Sequence, residues 1–167
     1  MKQVYVLLAG VLLLLNGCKY PTEYQTITIK DKFSLSVPPW VEQEELKEGA
    51  DLQYANRFRN FYIVAEKLPA TIAPEAVGAE MTKYLNLLRG VTQKPLITDS
   101  TTITTNGLTG VHVEFMGKMK EESIYYTEIL LQGKKGTYHL SLWTRGEDRK
   151  LRYKEDFGKI INSFKEL

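Results

Sequence analysis

The chain has a single cysteine in 167 residues, Cys18. Everything after it lacks disulfides and thiol chemistry, which an exported domain of this length can do without if it buries a hydrophobic core. His112 and His139 are the whole supply of imidazole. There is no HExxH, CxxC, EF-hand loop or G-x-S-x-G, so the common metal and hydrolase patterns are missing. Charge is almost balanced, with Lys+Arg 22 against Asp+Glu 20. No basic excess suggests nucleic acid, and no acidic block suggests a disordered tail. No apolar run reaches the roughly 20 residues that a membrane-spanning helix needs.

What is present begins with MKQVYVLLAGVLLLLNGCKYP. Lys2 precedes an apolar stretch from Val4 to Leu15, which has the length of a secretory h-region. Leu15-Asn16-Gly17-Cys18 resembles the lipobox of bacterial lipoproteins: leucine three before the cut, a small residue just before it, cysteine just after. The resemblance implies diacylglycerol on the Cys18 thiol, cleavage between Gly17 and Cys18, and acylation of the new amino terminus. Two acyl chains are enough for stable anchoring. Lys19 at the next position implies an outer-membrane address facing the periplasm in a Gram-negative host. The expected organisation is a lipoprotein signal peptide at 1–17, a lipidated tether at 18–25, and one domain at 26–167.

Within the domain, Tyr24 to Lys30 alternates polar and apolar, Asp31-Lys32 turns, and Phe33-Ser34-Leu35-Ser36-Val37 has the period of two of a half-buried strand. Pro38-Pro39 ends that strand because neither proline donates to a ladder, and Trp40 is expected to cover the end of the sheet. The polar stretch to Asp51 reads as a loop. Strands follow at Leu52–Arg57 and Phe61–Leu68, joined near Arg59-Asn60, with Phe58 and Phe61 in the core and Arg57 and Arg59 solvated. Pro74-Glu75 opens a helix with Val77, Met81, Tyr84, Leu85 and Leu88 on one side, and Gly90 supplies its stop.

Ser100–Thr105 is β-branched and meets the turn pair Asn106-Gly107. Val111, Val113 and Phe115 then alternate with His112 and Glu114. Ser123–Gln132 and Thr137–Thr144 flank a turn at Gly133–Gly136. Leu151, Phe157, Ile160, Ile161 and Phe164 mark a closing amphipathic helix. Short connections between strands imply antiparallel pairing. The expected class is α+β, a central twisted antiparallel sheet flanked by helices.

Several of these pieces together resemble the PsbP/Mog1-like superfamily: "FSLSVPPW", "NFYIVAEKLP", "APEAVGAEMTKYLNLL", "GLTGVHVEF" and the ending "YKEDFGKIINSFKEL", with Phe157, Ile160, Ser163 and Phe164 in its closing pattern. The resemblance spans nearly the whole domain and implies an α/β/α sandwich. It implies no activity, since a fold shared by several roles does not specify one.

Chemistry-bearing residues are few. His112 and Glu114 share a strand face and could give two metal ligands, with Glu128 as a third; the simpler reading, which we adopt, is a solvated polar strand face with no metal. Ser141 sits two residues from His139, a spacing that a strand imposes by itself. A histidine converging with carboxylates is the condition for catalysis here, and without it no catalytic residue is assigned. Trp143, out of phase with Leu140 and Leu142, is the candidate binding aromatic, joined by Tyr126 and Tyr84 in a cleft between sheet and helix. The expected function is a non-enzymatic, lipid-anchored envelope module with no cofactor and no metal. Its expected partners are the membrane, through the anchor, and an envelope protein. The alternative is a lipoprotein that binds a small or apolar ligand.

Overall fold

The computed structural model describes residues 23–146 and 148–167. The signal peptide expected at 1–17, the expected cleavage between Gly17 and Cys18 and the expected lipidation of Cys18 lie outside the described residues.

The strands are β1 (Gln25–Ile29), β2 (Phe33–Val37), β3 (Glu42–Gln43), β4 (Leu52–Asn56), β5 (Phe61–Lys67), β6 (Gln93–Thr105), β7 (Leu108–Met119), β8 (Glu122–Gln132), β9 (Thr137–Arg145) and β10 (Lys165–Glu166). The helices are α1 (Val77–Val91), entered through a 3-10 turn at Pro74–Ala76, and α2 (Arg149–Ser163). Seven strands form one sheet in the order β3-β4-β5-β9-β8-β7-β6, and β1-β2-β10 form a second. The pairings are antiparallel. This is an α+β fold with a layer on each face of the large sheet.

Two cores explain why so little of β5, β8 and β9 reaches solvent. On one face, Phe61, Ile63, Ile129, Leu131, Leu140 and Leu142 meet α2 and the small sheet. On the other, Val113, Phe115 and Leu130 meet Val77, Met81 and Leu85 of α1. With both faces covered, β5 and β8 each carry an unbroken run of five buried residues, as strands covered on two sides do. The family-like closing pattern is structural. Phe157, Ile160 and Phe164 are buried, while the Ser163 hydroxyl donates to the Ile160 carbonyl and accepts from the Ser36 amide at 2.8 Å. That last bond ties the end of α2 to β2.

Several expectations change. Phe58 is 97% exposed, because it occupies the turn after β4, where the chain has left the sheet. Leu151 is 80% exposed, and Tyr153 takes the buried place in the first turns of α2. Gly90 does not stop α1, which runs to Val91; an interior glycine costs only about 1 kcal/mol. The strand expected at Ser100 begins at Gln93, because exposed edge residues carry no alternating pattern to read. Phe164 follows α2 instead of lying within it, and Lys165–Glu166 joins the small sheet. The domain includes Tyr24 and Gln25, placed in the tether by sequence: Tyr24 bonds Asp156, and Gln25 pairs with Val37.

Candidate functional site

Strand order brings together residues that lie far apart in the chain. On the α1 side of the sheet, Glu66 of β5 sits directly opposite His139 of β9, and Glu128 of β8 directly opposite Ser141. The result is a buried ion cluster. His139 is 4% exposed and Glu128 2%. The imidazole Nδ1 lies 3.1 Å from Glu66 Oε1, and Nε2 lies 2.7 Å from Glu128 Oε2. Ser141 Oγ donates to the other Glu128 oxygen at 2.5 Å, and Lys47 Nζ reaches Glu66 at the rim.

Burial by itself would push the His139 pKa down. The hydrogen bonds to Glu128 and Glu66, together with their charges, outweigh burial and raise it. The His139 hydrogen bond, opposed by burial and assisted by Lys47, holds Glu66 down at about 2. The cluster therefore sets two acidic side chains, Glu66 and Glu128, against two basic ones, His139 and Lys47, and the acidic partners favour the charged form of the imidazole.

Beside this cluster is a cleft of about 200 Å³ between α1 and β5, β8 and β9. Tyr84, Leu87 and Leu88 form its helix wall, and Tyr126, Trp143 and Val64 its sheet wall. The Tyr84 ring stacks on His139 at 3.9 Å between centroids. Trp143 stacks on Tyr62 at 5.0 Å and 8°, with Tyr126 at 5.8 Å. Burial, then nearby carboxylates, pushes the phenols of Tyr84 and Tyr126 up to about 12. Both stay protonated and can donate at neutral pH. Tyr84, Tyr126 and Trp143, the three aromatics singled out in the sequence, thus line one cleft.

The structure meets the sequence condition for catalysis at His139, since carboxylates do converge on it. The chemistry points elsewhere. Each ring nitrogen lies within hydrogen-bond distance of a carboxyl oxygen, so neither faces a nucleophile from which it could take a proton. The Ser141 hydroxyl points to Glu128 and not to the ring. Sequence reasoning misses this cluster: nothing local marks Glu66 within its strand, and Glu128 is grouped there with the wrong histidine.

His112 and Glu128 cannot share a metal. Glu128 is in register with Val113, one residue on from His112, so the two side chains leave opposite faces of the sheet. Among the described residues no group of three or more His, Cys, Asp or Glu side chains is placed to hold a metal ion. The His112 face is half-covered by α2. It lines a second hollow of about 170 Å³ under α2, with Tyr125, Phe157 and Lys154. Glu114 there pairs with Lys150 at 2.8 Å. His112 Nε2 is buried without a partner, and burial, outweighing Glu114 and Asp99, lowers its pKa.

No family model matches the sequence, and no curated protein does. Solved structures do match in fold. Cyanobacterial PsbP from Synechocystis superposes with a TM-score of 0.64 at 16% identity, over 90% of this chain and 96% of that one. The Ran-binding protein Mog1p of Saccharomyces cerevisiae gives 0.58 at 11% identity, over 87% and 96%. LpqN of Mycobacterium tuberculosis, described as involved in cell envelope biogenesis, gives 0.55 at 14% identity, over 86% and 90%. The chain therefore has the PsbP/Mog1-like fold. At these identities the likeness fixes architecture and leaves function to the site. Among the described residues no helix is long and apolar enough to cross a membrane.

Proposed function

We propose that the protein is a bacterial lipoprotein, anchored through Cys18 at the outer membrane and facing the periplasm, whose domain is a non-enzymatic accessory module. Its binding element is the cleft between α1 and the sheet. The observation that carries this reading is the aromatic cleft beside a charge-balanced floor: Tyr84, Tyr126 and Trp143 stand open while His139 is saturated by Glu66 and Glu128. A floor without net charge favours an uncharged ligand. A cleft of about 200 Å³ suits one aromatic ring or a group of similar size, since a cavity of about 150 Å³ accommodates benzene. The phenols of Tyr84 and Tyr126 can each donate a hydrogen bond to a polar substituent.

A protein partner is the second reading. It is favoured by Leu87 on the cleft rim, 69% exposed, and Val91 one turn further on, 62% exposed. An aromatic side chain of an envelope protein would present the same chemistry to the cleft as a free ligand.

Fluorine-labelled single-ring fragments, followed by NMR line broadening, test the cleft. Fragments that broaden with the native chain should lose that broadening with Leu88→Trp, which fills the space. Absence of broadening with the native chain, or equal broadening with the variant, refutes the cleft as the binding element. Labelled palmitate tests the anchor: label retained on Cys18→Ala refutes lipidation at that residue.

A further inference from the structure

We infer that one end of the domain is a membrane-contact surface, centred on Phe58 and the arginines around it, that meets an anionic lipid face. The inference rests on the lipid-anchor reading. It begins with where the chain enters the fold. Tyr24 bonds Asp156 in α2, and Gln25 pairs with Val37 at the end of β2. Pro38-Pro39 and Trp40 continue from there, and Trp40 meets the turn between β4 and β5: its carbonyl accepts from Asn56 Nδ2 at 2.6 Å, and the Arg59 guanidinium lies 4.6 Å above its ring. The chain therefore enters the domain at the end that carries Arg57-Phe58-Arg59. Six residues join Cys18 to Tyr24, a span of at most about 20 Å. A lipid on Cys18 holds this end near the bilayer.

The turn is built to hold Phe58 outward. Asn56 Oδ1 accepts from the Arg59 amide at 2.9 Å, the Arg57 carbonyl accepts from the Asn60 amide at 3.2 Å, and the Tyr153 hydroxyl donates to the Arg59 carbonyl at 3.1 Å. With the backbone fixed on three sides, the phenyl ring stands clear of the sheet and is 97% exposed.

Arginine, though not lysine, is sorted along the same axis, since Lys67, Lys134 and Lys135 lie at the opposite end. Every arginine of the chain lies at this end: Arg57 and Arg59 in the turn, Arg89 in the last turn of α1 before β6 begins, Arg145 at the end of β9, and Arg149 and Arg152 at the start of α2. Glu121, Glu122 and Asp148 share the end, and Glu44 pairs with Arg57. The opposite end, with the Gly133–Gly136 turn and the Asn106-Gly107 turn, carries no arginine. Arginine suits phosphate because its planar fork can donate two hydrogen bonds to it. An aromatic ring between arginines matches the boundary between headgroups and acyl chains.

The test uses the chain purified from its envelope and reconstituted in vesicles of phosphatidylethanolamine and phosphatidylglycerol. Phe58→Cys and, at the far end, Lys135→Cys each carry an environment-sensitive fluorophore; in the lipidated protein Cys18 is blocked, so the label is unique. Mass spectrometry reads acylation on the same sample. The expected result is quenching by spin-labelled lipid at least about threefold greater at 58 than at 135, weakened when salt rises from about 0.1 to 1 M as the screening length falls. Acylated protein with no quenching at 58, or with equal quenching at both positions, overturns the contact surface and leaves the anchor standing. Selective quenching at 58 without acylation, repeated with Cys18→Ser added so that the label stays unique, supports the surface and removes the anchor. Neither signal removes both.

Discussion

Replacing His139 by leucine exposes the logic of the buried cluster. In the variant, Glu128 at 2% exposure keeps only the Ser141 hydroxyl as a partner. Removing one member of a buried pair costs about 3–5 kcal/mol, because the remaining charge is desolvated and uncompensated. Against a total stability of about 5–15 kcal/mol, that is a large loss. At roughly 2–4 °C per kcal/mol for a domain of this size, Tm falls by about 6–20 °C. Adding Glu128→Leu removes the stranded charge. Apolar replacement of a buried pair is often neutral or stabilising, while Glu66 keeps Lys47 at the rim. The double variant should then recover about 2–4 kcal/mol of the loss. Urea unfolding at pH 7, with unchanged m-values, measures the native chain, His139→Leu, Glu128→Leu and the double variant. A double variant whose cost is the sum of the single costs, or a His139→Leu cost under about 1 kcal/mol, refutes the coupling.

The cluster also sets a pH window. Raised above its ordinary 6.5, His139 contributes stability that is complete below that pH and is lost as pH climbs through its folded value. Glu66, lowered to about 2, contributes stability present above 4.5 and lost as pH falls towards 2. The advantage of the native chain over Glu66→Gln/His139→Gln is therefore largest between pH 4.5 and 6.5, measured by urea midpoints across that range. Nitrogen-15 NMR at pH 7 should find protons on both His139 nitrogens and a neutral His112 ring. Phe61→Ala, removing a fully buried ring, should cost about 3–5 kcal/mol, whereas Phe58→Ala stays within about 0.5 kcal/mol; equal costs in denaturant unfolding would contradict the assigned burial. Gly110→Ala should destabilise by at least about 1–3 kcal/mol, since its Cβ would fall 1.8 Å from the Leu130 carbonyl oxygen; an unchanged midpoint would refute that close approach.

Local rules made much of the fold legible in the chain. A period of two marked β2 and the start of β7, because side chains alternate across a pleat. Asn106-Gly107 marked a hairpin, and both residues do adopt positive φ, 47° and 81°. The helical stripe from Val77 to Leu88 announced α1, and the aromatics Tyr84, Tyr126 and Trp143 already pointed to a cleft between helix and sheet. Phase along a strand puts Glu66 on the face of Val64 and His139 on the face of Trp143, since strand side chains alternate and the members of each pair are an even number of residues apart.

Phase does not name the neighbour. Glu66 and His139 are separated by 73 positions, and only the insertion of β9 between β5 and β8 sets His139 between two carboxylates. The same strand order placed His112 and Glu128 on opposite faces, so the pairing of those two in the sequence could not survive. Phe58 looked like core because an aromatic beside a strand usually is; the turn that lifts it clear depends on Trp40 and Tyr153, which reach it from elsewhere in the chain. Sequence by itself determined the elements and which way each side chain points, because those follow from bonds between near neighbours. The tertiary structure decided which charges meet, which ring is left bare and which end carries the arginines, because those depend on contacts between residues that the chain order keeps apart.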